Sequence, residues 1–128
     1  MSRWVWIDPS IVSAIHDEQI SEHGGATGVR DPGLLESALA RPQNLDANGG
    51  PDVFLLAAAY AFGVAKYHPF VDGNKRTALV LCELFLELNG WRNEASDAET
   101  LAAMLDLAAG EIDEDGFAAW LRDGCVEG

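Results

Sequence analysis

With 128 residues, the chain has the length of a single domain, residues 1–128, and no room for a second with its own core. Its 48% hydrophobic and 23% charged residues exclude wholesale disorder. Against 21 Asp and Glu stand only 8 Lys and Arg, and the net charge of −13 repels a phosphate backbone and excludes a general nucleic-acid binder.

The punctuation reads as helices separated by short turns. Trp4-Val5-Trp6-Ile7 reads either as a short strand or as an apolar arm. Asp8-Pro9 is a cap followed by a proline at the first helical position, which predicts a helix over about residues 9–22, closed by Gly24-Gly25. Asp31-Pro32 repeats the signal and predicts a short helix to about residue 40, stopped near Arg41-Pro42. Residues 43–51, rich in Asn and Gly, read as a loop. Asp52 caps a helix to about Tyr67 whose small residues Ala57, Ala58, Ala61, Gly63 and Ala65 admit a close neighbour. A six-residue turn, 68–73, leads to a second largely apolar helix over about residues 74–89, with Gly90 as its left-handed terminator. Ser96-Asp97-Ala98-Glu99 is a capping box for a helix to about Ala109, and Asp113 caps a last helix to about Arg122. The expected architecture is all-α, a single-domain bundle with two buried central helices wrapped by shorter ones.

The longest apolar run, residues 53–65, is too short to cross a bilayer, and no secretory signal precedes Asp8. Cys82 and Cys125 fit neither a metal knuckle nor a disulfide framework, so a reducing cytoplasm is the expected compartment. His16 and His23 match no compact metal-ligand pair.

Chemistry concentrates in His68-Pro69-Phe70-Val71-Asp72-Gly73-Asn74-Lys75-Arg76. This segment joins the two central helices and ends on the first turn of the second, where free N–H groups and the positive end of the dipole favour anions. Lys75 and Arg76 there, with Lys66 nearby, are reconciled by a bound polyanion, and Gly73 lets a ligand approach the backbone. His68 is chemically suited to take a proton from a hydroxyl, and Asp72 to hold Mg²⁺ beside phosphates. The plain alternatives are a solvent-facing His68, an Asp72 that only caps the following helix, and solvated Lys75 and Arg76.

Residues 68–76 resemble the signature of the Fic/Doc superfamily, His-Pro-Phe-x-Asp/Glu-Gly-Asn-Gly/Lys-Arg. His16-Asp17, the run from Gly24 through Glu36, and Arg41-Pro42 extend the similarity and resemble the Doc branch, toxins of Phd/Doc-type toxin–antitoxin pairs. General Fic enzymes have glycine where Lys75 stands and transfer AMP to a protein hydroxyl. The resemblance implies that Doc proteins, with lysine there, bind ATP the other way round. They transfer its γ-phosphate to a threonine of elongation factor Tu and so stop translation. Carried over, His68 is the base and Asp72 holds Mg²⁺ and places the acceptor. Gly73, Asn74, Lys75 and Arg76 bind the phosphates, with Lys66 a further candidate. Gly24–Gly33 resembles the family's target-facing segment. No segment matches the family's inhibitory pattern Ser/Thr-x-x-x-Glu-Gly/Asn, so inhibition is expected in trans, from a Phd-like antitoxin. Neither nucleic acid nor membrane is an expected partner. His68-Pro69-Phe70 and Gly73 also fit the general Fic spelling, which keeps AMP transfer as the alternative, and a non-catalytic binding module with this fold is the second.

Overall fold

The computed structural model describes residues 3–128. Six helices appear in the order α1 (Pro9–His23), α2 (Pro32–Gly49), α3 (Val53–Tyr67), α4 (Asn74–Leu88), α5 (Asp97–Ala109) and α6 (Glu114–Gly124), as the all-α expectation requires. Two three-residue strands, β1 (Trp91–Asn93) and β2 (Cys125–Glu127), pair antiparallel and tie the end of the chain to the exit of α4. The sequence reading did not anticipate these strands, which are too short to carry an alternating pattern.

Helices α3 and α4 form the centre. Eleven residues of α3 are buried, among them Leu56, Ala57, Ala58, Tyr60 and Val64. Leu81, Cys82, Phe85 and Leu86 of α4 pack with them, and Met104, Leu107, Phe117 and Leu121 close the core from α5 and α6. Burying an α3 with so many alanines means that its neighbours come close. A Cβ on Gly63 would stand 3.0 Å from the Ala38 carbonyl oxygen and 3.1 Å from its Cα, so α2 and α3 touch backbone to backbone there.

That crossing corrects the reading of α2. The helix does not stop at Arg41-Pro42, and residues 43–49 are not a loop: α2 runs through Pro42 to Gly49, and Gly50 ends it at φ 55°. Pro42 has no N–H for the carbonyl of Ala38, four residues back. That carbonyl is the one facing Gly63 across the closest approach of the two helices. Pro42 is buried, Leu45 packs on the core, and Asp46 accepts a hydrogen bond from Trp4 Nε1 at 3.1 Å. Tertiary packing thus holds helical a segment whose local composition favours a turn.

Residues 4–7 are the apolar arm and not a strand. The Asn89 carboxamide clamps Val5, accepting from its N–H at 2.8 Å and donating to its carbonyl at 3.0 Å. Ile7 N–H donates to the buried Tyr60 hydroxyl at 3.2 Å, and Trp6 stacks on Phe85.

Candidate active site

Five of the six helices start on a side chain that accepts from the first turn: Asp8, Asp31, Asp52, Ser96 and Asp113. α4 does not. Its N-cap is Gly73, in the left-handed region at φ 76°, with no side-chain cap and no acidic residue in the first turn. Asp72 is therefore not the cap of α4. Its carboxylate Oδ2 accepts instead from Ala26 N–H at 2.7 Å, in the glycine-rich segment between α1 and α2. A Cβ on Gly73 would stand 3.0 Å from the tip of the Ile20 side chain, and the left-handed φ is what favours glycine there.

The uncapped end carries two cations that stand free among the described residues. Six of the eight basic side chains are engaged. Arg3 lies over the Trp4 ring, Arg30 donates to the Tyr67 and His68 carbonyls, and Lys66 donates to the Ala108 carbonyl. Arg41 pairs with Glu114, Arg92 with Glu94 and Arg122 with Asp52. Among the described residues, Lys75 and Arg76 alone have no such partner, although the chain has 21 carboxylates to offer. The Lys66 ammonium, on the last turn of α3, is spent on the end of α5.

The turn itself is locked from two sides. Asn74 is buried, and both ends of its carboxamide bond Phe70, the oxygen accepting from its N–H at 2.9 Å and the nitrogen donating to its carbonyl at 3.0 Å. The side chain assigned to phosphate by resemblance is thus turned into the loop. Phe70 is buried and stacks on His16, with ring centroids 3.8 Å apart and planes within 8°. The buried His16 Nε2 lies 2.8 Å from the Asp72 carbonyl oxygen. A carbonyl only accepts, so this nitrogen carries the proton.

His68 caps α3 in the left-handed region, at φ 52° and ψ 54°, and is the one non-glycine residue with positive φ among those described. The segment before α2 lies antiparallel to the turn. Arg30 and Asp31 N–H both donate to the Pro69 carbonyl, at 2.7 and 3.0 Å, and Val71 N–H donates to the Gly28 carbonyl at 3.1 Å. His68, Val71, Asp72, Lys75 and Arg76 are exposed around this framework. Arg76 also lines a cleft of about 530 Å³ between α1, α4 and α5, with His23, Leu79, Asp97 and Leu101; His68, Asp72 and Lys75 do not line it. His23 precedes Gly24, so the cleft adjoins the segment that holds Asp72.

His16 and Arg30 support this site, yet nothing in their spacing gave them a role. Both fall in stretches that resemble the Doc branch, and their function depends on contacts 56 and 38 residues away.

Residues 6–86, from the apolar arm to the end of α4, match the family model described as the Fic/DOC family. "Protein kinase doc" of Escherichia phage P1 is 39% identical over 118 residues, covering 91% of this chain and 92% of that protein. "Toxin Doc" of Mycolicibacterium smegmatis (strain ATCC 700084 / mc(2)155) is 42% identical over 106 residues, covering 77% of this chain and 78% of that protein. The match spans the turn between α3 and α4, and the chain belongs to the Fic/DOC family.

Proposed function

We propose that this chain is a Doc-type toxin that transfers the γ-phosphate of ATP to a hydroxyl side chain of a protein, with elongation factor Tu as the acceptor, and so stops translation. The observation that carries the reading is the uncapped N-terminus of α4 with Lys75 and Arg76 unpaired upon it. Open N–H groups, dipole and two cations converge there, in a molecule of net charge −13 that otherwise repels anions. The relatives named as a kinase and as a toxin support the same reading.

In this scheme His68 takes the proton of the acceptor hydroxyl as its oxygen attacks the γ-phosphorus. The bond from that phosphorus to the β–γ bridging oxygen breaks, and ADP leaves. Lys75, Arg76 and the N–H groups at Asn74 and its neighbours neutralise the phosphate oxygens, while Gly73, left-handed at φ 76°, makes the turn that presents them. Positioning and charge stabilisation supply most of the acceleration in such a transfer. Asp72 fits Mg²⁺ in a particular way. Its Oδ2 is held by Ala26 N–H, and no group of three or more His, Cys, Asp or Glu among the described residues gathers to cage a metal. Asp72 would be the residue that holds the ion, which would supply charge withdrawal from the phosphates.

Restraint falls to a Phd-like antitoxin acting in trans, since no segment matches the inhibitory pattern. Among the described residues no helix is long and apolar enough to cross a membrane. A transfer from ATP to elongation factor Tu would act in the cytoplasm.

The test incubates the protein with elongation factor Tu and ATP labelled at the α or γ position. Label on the acceptor from the γ position only, and lost in His68→Ala, supports the kinase. Label from the α position only makes the chain an AMP transferase, the alternative that the His68-Pro69-Phe70 spelling favours. No transfer from either, with toxicity intact in His68→Ala, leaves a binding module.

A further inference from the structure

We propose that Arg30 is a positioning residue for His68, fixing the backbone conformation from which the imidazole is presented. The proposal rests on the reading of His68 as the base.

A left-handed conformation is strained for a residue with a Cβ and persists only where the surroundings over-determine it. At His68 those surroundings come from Arg30. Its Nε donates to the His68 carbonyl at 2.7 Å and its Nη2 to the Tyr67 carbonyl at 2.9 Å. These are carbonyls at the C-terminal end of α3, where the dipole is negative and a cation is favoured. The Arg30 N–H also donates to the Pro69 carbonyl at 2.7 Å. One residue therefore grips three successive carbonyls, Tyr67, His68 and Pro69, across the αL position. The planar guanidinium fork matches two adjacent oxygens, which an ammonium group cannot engage with the same geometry. Lys75 and Arg76, the unpaired cations near the turn, make no such contact, so Arg30 is set apart by its hydrogen bonds and not by its charge.

The experiment uses the full chain. The His68 imidazole ¹H–¹⁵N correlations are recorded for wild type, Arg30→Lys and Arg30→Ala, with folding monitored by thermal melts. ATP affinity and transfer of γ-label to the acceptor protein are then measured for Arg30→Ala, His68→Ala and the double variant. Arg30→Ala is expected to move or broaden the His68 signals and leave those of His23 in place, with Arg30→Lys intermediate. It is expected to lower kcat by about tenfold or more while ATP affinity stays within about twofold, and to cause no further loss on the His68→Ala background. Unmoved His68 signals would overturn the proposal. So would a fall in ATP affinity, which would make Arg30 a phosphate ligand, or an equal further loss in the double variant. If His68→Ala transfers label at the wild-type rate, it is the catalytic reading that fails, and the imidazole signals alone decide the role of Arg30. If Arg30→Ala does not fold, Arg30→Lys carries the same comparison.

Discussion

Both ends of the Asn74 carboxamide are committed to Phe70, and the consequences belong to that one side chain. Removing it leaves a buried N–H and a buried carbonyl without partners, at about 1–3 kcal/mol each. Asn74→Ala is therefore expected to lower stability by about 2–6 kcal/mol, read in a urea titration as a lower midpoint with an unchanged slope. It should also lower transfer activity by loosening the turn. The identity of Asn74 was legible in the sequence, as part of the signature, but its task was not. A carboxamide beside two cations reads as a ligand for phosphate, and only the fold reveals that it is turned inward. Asp72 teaches the converse lesson. Its place just before a helix suggested a cap, but Gly73 takes that position and the carboxylate reaches across to Ala26. Contacts of this kind join residues 46 apart and leave no trace in local spacing.

At the scale of elements, capping residues fixed most boundaries correctly, because the physics of a helix end is local. The capping box at Ser96 and Glu99 is formed as read, and α5 ends at Ala109 with Gly110 in the left-handed region. α2 is where local signals misled. Pro42 and the Asn- and Gly-rich stretch after it favour a break, and packing against α3 overrides them. The close approach at Gly63 makes this testable. Replacing glycine by alanine inside a helix ordinarily gains about 0.5–1 kcal/mol. Here the new Cβ would meet the Ala38 backbone at 3.0–3.1 Å, so Gly63→Ala is expected to destabilise by about 1–3 kcal/mol, measured by thermal or urea unfolding. A gain in stability would mean that α2 and α3 are farther apart than described.

Across the whole molecule, charge bears on stability and on the proposed function. Burial pushes the Glu83 carboxyl above its ordinary value; neighbouring Asp97 and Glu87 add to this, and the hydrogen bond from Asn93 opposes it. The folded chain then holds this proton at a pH where the unfolded chain has lost it, so stability falls as pH rises from the ordinary value of 4.5 through the raised one. Glu83→Gln should accordingly raise the melting temperature at neutral pH, and the gain should shrink as pH drops to 4.5 and vanish below it. The same excess of carboxylates makes the unpaired Lys75 and Arg76 stand out, since surface cations in so acidic a chain readily find partners. Recognition of a triphosphate at the start of α4 is the claim on which the functional account turns. Calorimetric titration of the protein with MgATP and, separately, with adenosine tests it most directly. The account predicts that ATP binds at least about 100-fold more tightly, the equivalent of about 2.8 kcal/mol from charge-assisted contacts to the phosphates. Equal affinities for the two would contradict it.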